Sequence, residues 1–295
     1  EYRGYDSCGI GVIHENEIKT FKWKGRVRKT EKRFNETKIK PSIAVGHTRW
    51  ATHGEPNDIN AHPIKSFNGE FAVVHNGIIE NYKELKKILL DKGYKFYTET
   101  DTEILVNFIE LCVSNSKNID KGISYALSRL EGAFGIVLIK KSETEVVYAA
   151  RKGSPLAFGK KGTNFFIASD ATPIIEYTKK IIYLDNGQLL KINKNEFEVL
   201  DFELNKVPKK FKKVDVELQR VELGNYETYM LKEIMEQPDS LSQTMLGRIK
   251  DNKIILGGIQ SYTKPILNTK RIIIIGCGTS WHAGLVAEYL SLIHI

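Results

Sequence analysis

Short apolar runs separated by turn residues dominate the first two hundred residues of the chain. Alternating apolar and polar positions predict β-strands at 8–14, 43–47 and 71–75. From residue 133 to 200 one predicted strand follows another, with Gly, Asn and Asp as turn residues between them. Connections this short favour antiparallel pairing. The strands predicted in this region are 134–139, 145–149, 156–158, 165–168, 181–184, 188–192 and 196–200.

Two segments within this region have helical rather than strand periodicity. Residues 81–92 and 101–113 each place their apolar side chains on one helical face, which should pack on a sheet. Thr100 and Glu103 match a capping box, in which the threonine caps the second helix and the glutamate reaches back. The pattern predicts an α+β fold in which helices cover the outer faces of the sheets.

The character of the sequence changes near residues 205–225, which are basic and polar with little periodicity. A helix is predicted at 228–235, and later an apolar strand at 271–275, a Gly-rich turn and a helix at 281–292. One β–turn–α unit cannot form a sheet by itself. We therefore expect a first domain at 1–216, and at 217–295 a linker with the truncated start of a second domain.

Composition excludes several classes of protein. The chain has 295 residues, of which 41% are hydrophobic, so it can bury a sizeable core. Its cysteines, Cys8, Cys112 and Cys277, form no CxxC pair, so neither a disulfide framework nor a zinc site is indicated, and a reducing cytoplasm fits better. No apolar run of about 18 residues and no leader segment points to membrane spanning or secretion. Glu1 and Ile295 both suggest truncation.

The net charge of +8 comes from lysines scattered along the whole chain rather than from one patch. The densest basic run, 206–213, is interpreted as a solvated linker, with a nucleic-acid or targeting element as the alternative. We therefore expect no nucleic acid and no membrane as partner. Affinity for acidic or phosphorylated small molecules remains open.

The densest group of polar and aromatic residues is the segment 47–55, HTRWATHGE, directly after a predicted strand. Arg49 could bind a substrate carboxylate through two parallel N–H bonds, with Thr52 and His53 as further donors. The alternative is that Arg49 and Trp50 simply pack under a loop.

Two further positions have both a catalytic and a purely structural interpretation. Asn76 and Gly77 could donate twice to a developing oxyanion, but Asn-Gly is also a common turn dipeptide. Asp101 could bind a ligand, but an acid in the first turn of a helix is also favoured by the helix dipole. Residues 276–280, GCGTS, could hold a phosphate at a helix N-terminus.

Taken together, several short blocks of residues along the chain resemble those of the glutamine:fructose-6-phosphate aminotransferases. The order and spacing of so many blocks are far more specific than any one motif, and the resemblance extends to about residue 290. The blocks are 1–7 (EYRGYDS), 47–55, 75–81 (HNGIIEN), 99–103 (ETDTE), 151–155 (RKGSP), 168–170, 229–238 (YMLKEIMEQP) and 277–280.

In that family the glutaminase domain is a class II amidotransferase, an αββα sandwich with an N-terminal nucleophile. Its cysteine thiol attacks the side-chain amide of glutamine while its own α-amino group handles the proton. The resemblance implies that Arg49 binds the α-carboxylate of glutamine with help from Thr52 and His53. It also implies that Asp101 binds the α-amino group.

The resemblance further implies that Asn76 and Gly77 form the oxyanion hole. Trp50 would stand at the gate to an ammonia channel, and Arg3 would lie near a mobile rim. The ammonia would aminate fructose 6-phosphate to glucosamine 6-phosphate, the entry to hexosamine synthesis.

In the first sugar-isomerase domain Thr279 and Ser280 would contact the sugar phosphate. The isomerase halves of the family dimerise, so a homodimer or larger assembly is expected of the full-length enzyme. We expect no cofactor and no metal site.

The chain departs from the family at the nucleophile, which should lie in a Cys-Gly-Ile stretch upstream of Glu1. Cys8-Gly9-Ile10 imitates that stretch but follows the EYRGYDS block, so Cys8 is interpreted as a buried structural thiol. The second isomerase lobe is also missing. We therefore expect the chain as written neither to hydrolyse glutamine nor to make amino sugar.

Three other functions remain as alternatives. An amidophosphoribosyltransferase would share the glutaminase domain, but the blocks at 229–238 and 277–280 argue against it. A non-catalytic sensor of sugar phosphate is supported only by the missing nucleophile. A purely structural protein would leave the ordered polar blocks unexplained.

Overall fold

The computed structural model describes residues 4, 6–50, 54–194, 196–213, 226–245, 249–250, 253–254 and 263–294. The chain divides into two compact units, Glu1–Glu222 and Leu223–Ile295. The domain boundary predicted after residue 216 falls within 214–225, outside the described residues.

The first unit alternates strands and helices along the chain. Its strands are β1 (Ser7–His14), β2 (Glu17–Lys24), β3 (Ala44–Arg49), β4 (Ile64–Lys65), β5 (Phe71–Ile79), β6 (Gly132–Lys140), β7 (Val146–Lys152), β8 (Ala157–Lys161), β9 (Asn164–Ala168), β10 (Lys180–Tyr183), β11 (Gln188–Asn193), β12 (Glu196–Asp201) and β13 (Lys212–Lys213). Its helices are α1 (Val27–Glu36), α2 (Tyr82–Asp91), α3 (Asp101–Ser114), α4 (Ile119–Arg129) and α5 (Thr172–Ile175).

These strands form three sheets with the orders β12-β11-β7-β6-β5-β4, β2-β1-β3 and β13-β10-β8-β9. All their pairings are antiparallel, as predicted from the short connections. Each strand predicted in this first unit corresponds to an observed strand, with bounds that differ by a few residues.

Helices α2, α3 and α4 cover one face of the six-stranded sheet. Alternate residues of β6, Phe134, Ile136 and Leu138, are buried in this layer, as the two-residue period of a strand requires. Leu105 and Ile109 of α3 are fully buried in the same cluster. The helices predicted at 81–92 and 101–113 are confirmed as α2 and α3.

The opposite face of the six-stranded sheet packs on the other two sheets. Val74 and Ile139 meet Val45 of the three-stranded sheet, while Leu190 meets Phe158 of the four-stranded sheet. Helix α1 lies against β1 and β2, and α5 packs on the four-stranded sheet. The first unit is therefore a sandwich of helices, sheet, sheets and helices, and the predicted layered α+β fold is confirmed.

Six described elements of this unit have no sequence prediction, namely the short β4, α5 and β13 and the longer β2, α1 and α4. Strand β2 carries lysines between half-buried residues, α1 is strongly basic, and α4 contains Gly122 and Ser124 on its buried side. The apolar periodicity of β2 and α1 is weak because few of their side chains are buried, and small or polar residues interrupt the buried side of α4.

In the second unit the structure describes α6 (Tyr229–Met245), the hairpin of β14 (Ile249–Lys250) and β15 (Lys253–Ile254), α7 (Thr263–Leu267) and α8 (Thr279–His294). The helices predicted at 228–235 and 281–292 are confirmed as α6 and α8, and α6 continues past Pro238. The strand predicted at 271–275 is wrong, because these residues have no regular secondary structure. Their isoleucine side chains are 52–92% exposed, and no described strand pairs with them.

Candidate functional site

Arg49 is the last residue of β3, and its side chain is only 4% exposed. Its guanidinium donates from Nη2 to the carbonyl of Gly54 at 3.3 Å and from Nη1 to that of Glu55 at 3.4 Å. Burial lowers the pKa of Arg49, and the nearby carboxylates, Asp101 foremost, oppose that shift. A buried guanidinium among acidic groups stays charged and can bind a carboxylate.

Trp50 follows Arg49 and is 60% exposed, so it does not pack under a loop as the structural alternative supposed. Thr52 and His53, the two helpers expected beside Arg49, lie outside the described residues, as does Arg3.

Asn76 and Gly77 lie inside β5, which continues to Ile79, so they do not form the turn that was the alternative interpretation. They pair with Gly135 and Phe134 of β6. Gly77 has a φ of +135°, and a Cβ there would lie 2.0 Å from the carbonyl oxygen of Ala133. Only glycine fits this close approach of the two strands.

Asp101 is the first residue of α3 and is buried, and its Oδ2 accepts the backbone N–H of Ile79 at 2.9 Å. Thr100 caps the helix as predicted, because its side chain accepts the N–H of Glu103 at 3.3 Å. The carboxylate of Glu103 does not return to Thr100. It accepts instead from the backbone of Tyr97 and Thr98, which corrects the second half of the predicted capping box.

Arg49, Trp50, Asn76, Gly77 and Asp101 all line one cavity of about 260 Å³. The end of β3, the middle of β5 and the start of α3 therefore meet at one place. These five predicted residues come from three segments that are far apart in sequence, and the layering of the sheets brings the segments together. The remaining lining residues are His47, Thr48, His62, His75, Thr100 and Thr102.

Three histidines form the inner wall of this cavity. The rings of His47 and His62 have centroids 4.5 Å apart, and those of His62 and His75 are 6.5 Å apart and stacked. His75 Nδ1 lies 2.9 Å from Thr102 Oγ1. Burial lowers the pKa of His47 to about 4 and holds that of His62 well below 6.5, with the neighbouring histidines and Arg49 adding to both shifts. At neutral pH both rings are uncharged.

His62 and its neighbour Asn60 are buried in the loop before β4 and were not predicted as site residues. The only signal was the density of Asn, His and Pro in residues 56–63, which is ordinary for a loop. In the described ranges no group of three or more His, Cys, Asp or Glu side chains is arranged to hold a metal ion.

Cys8 does not line the cavity that holds Arg49 and Asp101. It is 3% exposed in β1, its thiol donates to the carbonyl of Gly25 at 3.4 Å, and its Sγ lies 3.0 Å from Thr30 Oγ1. The geometry is that of a buried structural thiol.

Thr279 and Ser280 begin α8 in the second unit, directly after Gly278, whose φ is +58°. Both side chains are exposed. The predicted turn and helix N-terminus are present, while the preceding strand is not.

Residues 8–229 match a protein family described as the glutamine amidotransferase domain. The match covers the sandwich and the cavity, so the chain belongs to the glutamine amidotransferase domain family.

Curated relatives extend the similarity through the second unit. The chain is 45% identical to glutamine–fructose-6-phosphate aminotransferase [isomerizing] of Bacteroides thetaiotaomicron over 98% of its own length and 48% of the relative. It is 42% identical to the protein of the same name from Chlorobaculum tepidum, again over 98% of this chain and 48% of the relative. The chain thus spans about half the length of the curated relatives it matches.

Solved structures resemble about two thirds of the chain. Glutamine phosphoribosylpyrophosphate amidotransferase from B. subtilis aligns with a TM-score of 0.59 and 26% identity, over 70% of this chain and 45% of its own. A structure described as the allosteric regulatory enzyme of purine biosynthesis aligns with a TM-score of 0.60 and 26% identity, over 69% and 44%. No helix in the described part of the chain is both long and apolar enough to cross a membrane.

Proposed function

We propose that the cavity between β3, β5 and α3 binds L-glutamine, and that the chain is the glutaminase half and the start of the isomerase half of a glutamine:fructose-6-phosphate aminotransferase. The observation that carries the glutamine site is the meeting of Arg49, Asn76, Gly77 and Asp101 in one small cavity. Its volume is below the range of about 300–1,000 Å³ usual for drug-sized ligands, which suits a free amino acid.

Each group of glutamine has a complementary group in this cavity. The guanidinium of Arg49 binds the α-carboxylate through its N–H fork, and the carboxylate of Asp101 binds the α-ammonium group. Thr52 and His53 add donors to the α-carboxylate, and exposed Trp50 closes the entrance. Binding both α-groups leaves the side-chain amide directed towards β5.

Asn76 and Gly77 stabilise the oxyanion that forms when a thiolate attacks the side-chain amide. Ile79 directs its N–H to Asp101 rather than to β6. Gly77 lies two residues earlier on the same strand and lines the same cavity as Asp101, so we assign its N–H to the oxyanion as well. Together with the side-chain amide of Asn76, that gives two donors for one oxygen.

The acceptor substrate is proposed from the extent of the similarity. The solved phosphoribosylpyrophosphate amidotransferase matches 70% of this chain, whereas the fructose-6-phosphate aminotransferase matches 98% at higher identity. The second unit favours fructose 6-phosphate as the acceptor and glucosamine 6-phosphate as the product. Thr279 and Ser280 then hold the sugar phosphate at the start of α8.

We further propose a glutaminase domain at 1–216 and, at 217–295, a linker with the start of a sugar-isomerase domain. We also propose a homodimer or larger assembly for the complete enzyme and a cytoplasmic location. The cytoplasmic location is supported by the three cysteines, which are all free thiols.

The glutamine site is tested by isothermal titration of the chain with L-glutamine. Arg49→Lys keeps the charge but loses the fork, so affinity should fall at least about tenfold. Arg129→Lys, the same change on the exposed face of α4, is the matched control and should bind as the wild type does. Asp101→Asn should weaken L-glutamine but not glutaramic acid, which lacks the α-amino group. Equal affinity in the wild type and Arg49→Lys would refute the assignment.

A further inference from the structure

Two side chains hold the loop after β3 against the segment that leads into α3. Asn60 Nδ2 donates to Glu99 Oε2 at 3.1 Å, and the backbone N–H of Glu99 donates to Asn60 Oδ1 at 3.0 Å. We refer to this reciprocal pair as the Asn60–Glu99 clasp. It joins two segments that are 39 residues apart in sequence.

The clasp also holds the peptide group that Arg49 contacts. The carbonyl of Glu55 accepts from Asn60 Nδ2 at 3.0 Å, and the N–H of Glu55 donates to Glu99 Oε2 at 3.1 Å. The same Glu55 carbonyl accepts from Arg49 Nη1. The orientation of the guanidinium therefore depends on a loop that the clasp fixes on both sides.

Packing at Gly54 shows how closely the loop lies on the clasp. Gly54 has a φ of +77°, and a Cβ there would lie 2.8 Å from both Asn60 Nδ2 and Glu99 Cβ. Its carbonyl is the second acceptor for Arg49. Asn60 is 1% exposed, so its amide would lose partners that no solvent replaces if the clasp opened.

The clasp is also connected to Asp101 through the backbone. Glu99 lies two residues before Asp101, whose carboxylate accepts the N–H of Ile79. Neither Asn60 nor Glu99 lines the cavity. They are positioning residues, because they act on a ligand only through Arg49 and Asp101.

We propose that the Asn60–Glu99 clasp fixes the separation of Arg49 and Asp101 and thereby makes the site selective for L-glutamine over D-glutamine. This inference rests on the proposed glutamine site. The enantiomers carry the same groups, so they are distinguished only if the partners of the carboxylate, the ammonium and the amide are all held in place. A loosened loop lets Arg49 follow the carboxylate of either enantiomer.

The test compares L- and D-glutamine binding to the whole chain by saturation-transfer NMR. Glu99→Ala removes the side-chain acceptor, whereas Glu99→Gln keeps a carbonyl oxygen at the same place. We expect Glu99→Ala and Asn60→Ala to lower the ratio of D to L dissociation constants about tenfold, as the loss of about two hydrogen bonds implies. Glu99→Gln should retain most of the ratio. Glu84→Ala, an exposed glutamate of α2, is the matched control.

Amide exchange of Glu55 provides a readout that does not depend on the ligand. Its N–H should exchange faster in Glu99→Ala and at the wild-type rate in Glu99→Gln. If buried Asn60 tolerates no substitution, the Glu99 pair still decides the question, since that side chain is partly in solvent.

Three outcomes overturn the inference. An unchanged D to L ratio in Glu99→Ala shows that the clasp does not set selectivity. An equal fall of the D to L ratio in Glu99→Gln and Glu99→Ala shows that the charge of Glu99 sets the selectivity, and not its hydrogen bonds. Absence of L-glutamine binding in the wild type refutes the proposed site, and selectivity with it. In the first two outcomes the glutamine site stands.

Discussion

Acidification should destabilise the first unit through the buried histidines before its carboxylates begin to titrate. His47 and His62 are uncharged in the folded protein, whereas both accept protons near pH 6.5 once unfolded. Their folded pKa is depressed, so the unfolded state binds more protons below pH 6.5. Stability is complete above that pH and is lost as the pH falls towards the folded pKa.

The magnitude follows from the two pKa values of His47, 6.5 unfolded and about 4 folded. Each unit of difference corresponds to about 1.4 kcal/mol, and between pH 7 and pH 5 this linkage removes about 2 kcal/mol. The pKa of His62 is shifted in the same direction by the same cause, so its protonation adds to this loss. The loss of about 2 kcal/mol from His47 alone is already large against the roughly 5–15 kcal/mol of a typical domain.

The assay is urea unfolding at half-unit steps from pH 7 to pH 5, followed by tryptophan fluorescence. In a Trp281→Phe background the remaining tryptophans, Trp23 and Trp50, both report on the first unit. His62→Leu removes one titrating ring and should reduce the pH-dependent loss of stability. If His62→Leu does not fold, His47→Asn serves the same purpose.

A free energy of unfolding that is constant within about 1 kcal/mol over this range would refute the reasoning. So would an unchanged slope in both histidine variants, because the loss would then come from other groups. The pH-dependent loss is the difference between the free energies of unfolding at two pH values. Any pH-independent cost of a substitution therefore cancels.

Two further substitutions test the backbone that builds the cavity. Gly77→Ala should cost well over about 2 kcal/mol in urea unfolding, because it adds a clash with the carbonyl of Ala133 to the strain of a positive φ. Gly93→Ala, also at positive φ but with no atom within 4 Å of the added Cβ, should cost only about 1 kcal/mol, and equal costs would contradict the predicted clash. Thr100→Ala should cost about 1 kcal/mol by removing the cap of α3, while Thr100→Ser restores it, and equal midpoints for the two would exclude a capping role.

The periodicity of the sequence was sufficient for most of the first unit. Strand alternation in β6 and the helical face of α3 reflect the side chains that each element buries, so both could be predicted locally. Strand β2 was missed because it buries few side chains, and helix α4 because Gly122 and Ser124 interrupt the apolar pattern on its buried side. The strand predicted at 271–275 failed for another reason, since a strand exists only with a hydrogen-bonded neighbour.

The candidate site, too, could be predicted only in part from the sequence. Arg49, Asn76 and Asp101 could be selected from residue type and local sequence, and the resemblance supplied roles for them. Neither the local sequence nor the resemblance could show that Asn76-Gly77 continues a strand instead of forming a turn. The strand depends on pairing with β6, which lies more than fifty residues away in sequence.

The sequence alone determined the element types, the layered class and the candidate side chains, because those depend on local propensity and on the period of burial. Only the tertiary structure decided that Arg49 and Asp101 face one cavity, that His62 lies between His47 and His75, and that Asn60 bonds to Glu99. Such contacts join residues from separate elements, and their geometry is set by how the sheets stack and pair, which no local pattern encodes.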